Sequence, residues 1–178
     1  MTYFINLLTL SRIFLGGVIF LLLTRPEGYF LAFMLFFVAG ATDYFDGYLA
    51  RKYNATSQIG EILDPIADKI LIVFVLFGLS VNLTSYFIAF MASLIISREI
   101  WVGALRDFNA RQGRSGVTKV IFLAKIKTTI QLFTISIYLL GLTINNMLLI
   151  LFGDMFLFLS LLITIYTGYI YSYNSFKN

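Results

Sequence analysis

Six long apolar runs follow one another with only short connections between them, near residues 10–24, 29–50, 60–80, 84–105, 120–142 and 147–169. Wound as helices, runs of this length match the hydrocarbon core of a bilayer, the first one drawing its full length from the residues before it. A chain of 178 residues that is 60% hydrophobic, with a mean hydropathy of +0.89, carries more apolar surface than a soluble core of that size can hide. In lipid a backbone group must find its hydrogen bond within its own segment, and helices of this length do so. The expected fold is therefore all-α: a polytopic membrane protein with six transmembrane helices. Two prolines and thirteen glycines leave no linker, so one domain spanning 1–178 is expected. The opening MTYFINLLTLSR has neither a basic stretch nor a small-residue cleavage site, and it is read as part of the protein rather than as a signal peptide.

Charge is scarce, 12% of residues, and its placement is informative. Asp43 and Asp46 end the second run, and Asp64 and Asp68 begin the third. At about 100° per residue Asp43, Asp46, Gly47 and Ala50 share one helical face, as do Gly60, Asp64 and Asp68. Each acidic face is thus also a face of small residues, with room for a ligand against the backbone. An ionised Asp at bilayer depth costs roughly 2.5–3.5 kcal/mol, so four require compensation. Divalent cations held by oxygen ligands would supply it. With no Cys and no His in the chain, the metal must be a hard one such as Mg²⁺, Mn²⁺ or Ca²⁺. The plainer alternative is that these carboxylates sit solvated at the membrane surface.

The stretch reads D-x2-D-G-x2-A-R-x8-G-x3-D-x3-D through Asp43, Asp46, Gly47, Ala50, Arg51, Gly60, Asp64 and Asp68. It resembles the signature of the CDP-alcohol phosphotransferase family at every one of its positions. The resemblance implies an integral membrane enzyme that transfers a phosphatidyl or related group from a CDP-linked donor to an alcohol and releases CMP. It implies two Mg²⁺ or Mn²⁺ ions at Asp43, Asp46, Asp64 and Asp68, with Asp68 also the general base toward the acceptor hydroxyl. The donor nucleotide would lie along Asp43, Gly47, Ala50, Arg51 and Gly60. Relatives also form homodimers.

Orientation follows from Lys and Arg. Arg51 and Lys52 lie between the second and third runs, Arg106, Arg111, Arg114 and Lys119 between the fourth and fifth, and Lys177 in the tail. The opposite connections, SVNLTS and TINNM, are uncharged, and RPEG balances. Both termini and the acidic site are expected to face the cytoplasm. Asp154 stands by itself in the sixth run, where a hydrogen bond inside the bundle or a dimer contact suits it better than catalysis.

A second constellation falls on the same side. Arg98 and Glu99 interrupt the fourth run, Glu99, Gly103, Arg106 and Ala110 align as a stripe, and Lys125 and Lys127 open the fifth run. Inside-positive topology accounts for Arg111, Lys119 and Lys177. Cations placed deeper want an anion, and an acceptor bearing its own phosphate suits Arg106, Arg114, Lys125 and Lys127. SREIWVGALRDFNARQG, LAKIKTTIQL, LDPIADKIL and the N-terminal NLLTLSR (Asn6, Thr9, Arg12) are similar to the phosphatidylglycerophosphate-forming branch of the family, although Ala124 stands where that branch more usually has Gly. That likeness implies CDP-diacylglycerol as donor, with Asn6 and Thr9 on its side of the site, glycerol 3-phosphate as acceptor, and a bacterial inner membrane as the location. A relative using inositol phosphate or phosphatidylglycerol as acceptor is the nearest alternative. A cation transporter is the alternative from another class, since acidic residues within helices also mark ion pathways.

Overall fold

The computed structural model describes residues 2–53, 58–118 and 122–177. Among them are six α-helices and no strand: α1 (Thr2–Leu22), α2 (Tyr29–Tyr53), α3 (Gln58–Asn82), α4 (Tyr86–Arg111), α5 (Phe122–Thr143) and α6 (Met147–Phe176). Short 3-10 turns occupy Pro26–Gly28 and Ser115–Thr118. Four helices contain stretches long and apolar enough to cross a membrane, Pro65–Asn82, Tyr86–Arg111, Lys125–Thr143 and Met147–Phe176, while Leu7–Leu22 and Pro26–Thr42 are shorter apolar stretches.

The helices begin and end where side chains satisfy their orphan backbone groups. Ser85 Oγ accepts from Ile88 N at 3.2 Å to start α4, and Asn146 Oδ1 accepts from Leu148 N at 3.0 Å to start α6. The preceding Thr84 and Asn145 take left-handed φ values of 45° and 52°, which fold each connection into a tight helical hairpin. Asn82, the last residue of α3, donates from Nδ2 to Leu23 O just beyond α1 and to Tyr29 Oη at the start of α2, each at 2.7 Å. Two helices run further than their hydropathy suggests. α4 continues to Arg111 and α6 to Phe176, because their ends hold one another: buried Asn109 donates to Leu105 O at 2.7 Å and to Ser175 Oγ at 2.9 Å. Hydropathy sees the charges of RDFNAR and misses this tie.

Contacts run from α1 to α2, α2 to α5, α5 to α6, α6 to α4, α4 to α3 and from α3 back to α1, so the helices close into a ring, with a weaker contact between α3 and α5 across it. The main apolar core joins Ile19, Phe36, Leu76, Ile88, Leu139 and Leu157. These residues come from the C-terminal parts of α1, α3 and α5 and the N-terminal parts of α2, α4 and α6. That is one end of an antiparallel bundle, the end whose connections carry no net charge. At the other end, among the described residues, Val102, Leu105 and Tyr171 form a small separate cluster. Outside, large apolar side chains such as Phe14, Phe30, Phe90 and Met155 are exposed, as suits a bundle whose solvent is lipid.

Asp154 is a hydrogen-bond acceptor within this packed end: the hydroxyl of buried Tyr138 on α5 donates to its Oδ1 at 2.6 Å. Gly153 makes the approach possible, since a Cβ there would lie 2.7 Å from the Tyr138 ring. The ring is fully buried and tied at its hydroxyl, so it has little freedom to yield. Gly153→Ala is expected to destabilise the protein by about 1–3 kcal/mol through overpacking. Gly17→Ala, on a helix face with nothing within 4 Å of the new methyl, should be neutral or slightly stabilising. Thermal unfolding of the two variants in detergent compares them directly.

Candidate active site

The eight signature positions fall on the last turns of α2 and the first turns of α3, on either side of the connection 54–57. The side chains of Asn6, Asp43, Asp46, Ala50, Arg51, Asp64 and Ala124, together with Gly47, lie outside the described residues. Gly60 and Asp68 are described. Gly60 is buried within α3. Asp68 is 46% exposed, and its Oδ1 accepts a hydrogen bond from Nη1 of Arg12, a guanidinium only 1% exposed. Arg12 comes from α1, which packs closely on α3: a Cβ on Gly16, one turn further along, would lie 3.3 Å from the Leu71 Cα. Thr9, on the same face of α1 three residues before Arg12, is fully buried. A buried guanidinium thus fixes one oxygen of Asp68, whose side chain remains partly exposed.

The second constellation assembles around Glu99. Its Oε1 accepts from Arg98 Nη1 at 2.9 Å and from Lys127 Nζ, and its Oε2 lies 4.0 Å from Lys69 Nζ. Arg98 is further held by α6, donating from Nε to Thr164 O at 2.9 Å and from Nη2 to Thr167 Oγ1 at 2.7 Å. The buried ring of Tyr171 lies under two guanidiniums, with Arg98 Cζ 5.8 Å and Arg106 Cζ 5.5 Å from its centroid. A ring face attracts a cation without using its N–H groups. Arg106 accordingly keeps its donors: its buried Nε has no acceptor among the described residues.

Two adjoining cavities result. One, of about 400 Å³, is lined by the cations Lys69, Arg98, Arg106, Lys125 and Lys127 together with Glu99. The other, of about 580 Å³, is lined mainly by apolar side chains, among them Ile72, Val73, Ile95 and Ile100, and has Asp68 and Asp107 on its wall. Lys69, Glu99, Gly103, Lys127 and Thr128 belong to both linings. Such a pair of chambers suits an anion in one and an apolar chain in the other, with carboxylate and ammonium groups where they join.

Of the four cations expected to face a phosphate, Arg106, Lys125 and Lys127 line the cationic cavity. Lys127 is buried there against Glu99, so much of its charge is already compensated. Arg114 lines neither cavity and donates to Ser175 O at 3.3 Å, where it ties the end of α6. Three participants escaped sequence reasoning. Arg12 has a place in an N-terminal motif but no visible partner, since Asp68 is 56 residues away. Lys69 follows a signature Asp and is masked by it. Tyr171 is one of eleven tyrosines, and only its position beneath two arginines singles it out.

The chain matches known proteins over most of its length. The family model for CDP-alcohol phosphatidyltransferase matches residues 3–166. The chain is similar to the CDP-diacylglycerol–glycerol-3-phosphate 3-phosphatidyltransferase of Rickettsia bellii, 40% identical over 169 residues that cover 93% of this chain and 91% of that protein. The protein of the same name from Blochmanniella floridana is 38% identical over 147 residues, covering 82% and 76%. That from Escherichia coli (strain K12) is 35% identical over 133 residues, covering 74% and 73%.

The Glu99–Lys127 pair invites a stability test. Lys127→Met leaves Arg98 as the one remaining cation hydrogen-bonded to Glu99 among the described residues and is expected to cost about 1–3 kcal/mol, whereas removing both charges of a buried pair is often nearly neutral. Lys127→Met combined with Glu99→Gln should therefore recover much of the loss seen in Lys127→Met alone. Unfolding of the two single variants and the double variant in detergent gives the coupling.

Proposed function

Because the chain belongs to the CDP-alcohol phosphatidyltransferase family, we propose that it moves the phosphatidyl group of CDP-diacylglycerol onto sn-glycerol 3-phosphate, giving phosphatidylglycerophosphate and CMP. The observation that carries this reading is the pair of joined cavities, one apolar and one cationic, meeting at Lys69 and Glu99 close to Asp68. A lipid donor and a small phosphorylated acceptor need such neighbours. The transfer runs within one membrane domain, 1–178, whose six helices span the bilayer with both termini and the site on the cytoplasmic side of a bacterial inner membrane. Two copies pair as a homodimer.

In this mechanism the diacyl chains remain on the apolar side and the cytidine lies along Gly47, Ala50, Arg51 and Gly60, with Asn6 and Thr9 on the α1 side. Carboxylates on two successive helices, with no Cys or His in the chain, fit a hard cation. Asp43, Asp46, Asp64 and Asp68 would hold one or two Mg²⁺ or Mn²⁺ ions, which when bound neutralise the donor pyrophosphate and the charge growing on the leaving CMP. Arg106 and Lys125 hold the acceptor phosphate, with Lys127 behind them. The acceptor's terminal hydroxyl attacks the phosphorus that carries diacylglycerol, the bond from that phosphorus to the CMP oxygen breaks, and Asp68 takes the hydroxyl proton. Arg12 keeps Asp68 turned toward that proton.

Purified protein given CDP-diacylglycerol, glycerol 3-phosphate and Mg²⁺ should release CMP with equal phosphatidylglycerophosphate. Asp64→Asn should lower that rate by orders of magnitude while the protein still inserts and folds, and chelation of divalent ions should stop it. Near-normal turnover in either case removes the metal-dependent mechanism. A charge-assisted contact to phosphate contributes about 1.5–3 kcal/mol, so Arg106→Ala or Lys125→Ala should raise the KM for glycerol 3-phosphate roughly tenfold or more. The KM for CDP-diacylglycerol should move much less. Lys177→Ala, in the tail beside Tyr173, serves as the control that changes neither.

A further inference from the structure

Glu99 is a carboxylate in the wall of a chamber whose other charged lining residues are all cations. For binding an anion that placement is counterproductive, because a fixed negative charge weakens the field the cations make. Charge balance accounts for one of its oxygens only. Arg98 and Lys127 both donate to Oε1. Oε2 has no hydrogen bond among the described residues, and Lys69 Nζ stands 4.0 Å from it, beyond hydrogen-bond reach. The carboxylate is therefore held rigidly by one oxygen while the other is left over, in a side chain that lines both cavities.

An ionised carboxylate only accepts, so its missing partner is a donor. A phosphate is excluded by charge. A ligand ammonium is disfavoured too, because Lys69, Arg98, Arg106 and Lys127 surround the position. A neutral hydroxyl remains. Resting on the acceptor assignment made above, we propose that Glu99 Oε2 accepts a hydrogen bond from the non-reacting hydroxyl of a phosphorylated polyol, so that Glu99 selects a polyol phosphate over a phosphate ester with a single hydroxyl. The cations hold the phosphate of either compound. Glu99 adds what distinguishes them, since a site built to hydrogen-bond a substrate hydroxyl disfavours the analogue that lacks it.

The test compares two acceptors, glycerol 3-phosphate and 3-hydroxypropyl phosphate, which keeps the phosphate and the attacking terminal hydroxyl but lacks the middle one. With the wild-type protein the second acceptor should have a kcat/KM roughly ten- to a hundredfold lower, as expected for one lost hydrogen bond to a charged group. In Glu99→Gln that gap should narrow at least fivefold, because glycerol 3-phosphate loses more than its analogue. A purely structural Glu99 would lower both acceptors alike, and an unchanged ratio in Glu99→Gln overturns the proposal. Wild-type protein that uses the two acceptors equally well overturns it without any variant. Absence of transfer to glycerol 3-phosphate, with transfer to some other acceptor, removes the acceptor assignment as well and so is distinguishable from failure of the Glu99 proposal by itself.

Discussion

The hydrogen-bonded ion pair between Glu99 on α4 and Lys127 on α5 lets this bundle keep a charged, open end. Cations inside an apolar ring repel one another, and without a counter-charge Lys127 would be an isolated buried ammonium. Arg98 joins the same oxygen and then reaches across to two groups of α6, so three helices are tied through one carboxylate. Tyr171 completes the floor by facing both arginines. The arrangement draws on few hydrogen-bond donors, and that economy leaves Arg106 with bonding capacity for a ligand.

The rest of the structure is arranged so that this end can stay open. Leu, Ile, Phe and Ala side chains from all six helices fill the opposite end, where the connections are short and carry no net charge and Ser85 and Asn146 cap α4 and α6. Burial there, at about 25 cal/mol per Å² of apolar surface, supplies stability that the cavity end cannot supply for itself. Tyr138 and Asp154 show the same division. A carboxylate at the packed end is satisfied by one buried hydroxyl and faces no cation among the described residues. At the open end carboxylates and cations crowd together around space.

That division is also what the reaction requires. A lipid donor brings chains that belong in an apolar chamber and a pyrophosphate that belongs among charges, while its co-substrate arrives from water. Chambers that share Lys69, Glu99 and Lys127 put both within reach of one another. Relatives 35–40% identical over most of the chain carry names that describe this pair of substrates.

The number and type of helices, their approximate limits, and the eight-position carboxylate signature were all legible in the sequence, because each depends on local periodicity or fixed spacing. So was the grouping of Arg106 with Lys125 at one end of the bundle, where both line the cationic cavity. Helix ends at Arg111 and Phe176 were not legible, since they depend on Asn109 meeting Ser175 from another helix. The pairing of Arg12 with Asp68, the capture of Lys127 by Glu99, the removal of Arg114 to the end of α6 and the place of Tyr171 were decided only by the tertiary structure. In each case the partner lies on a different helix, 28 or more residues away along the chain, except Tyr171, which lies still farther from the arginines it supports. A linear pattern states which charges a membrane helix carries. Which of them cancel and which remain for a ligand follows from the order in which the ring closes.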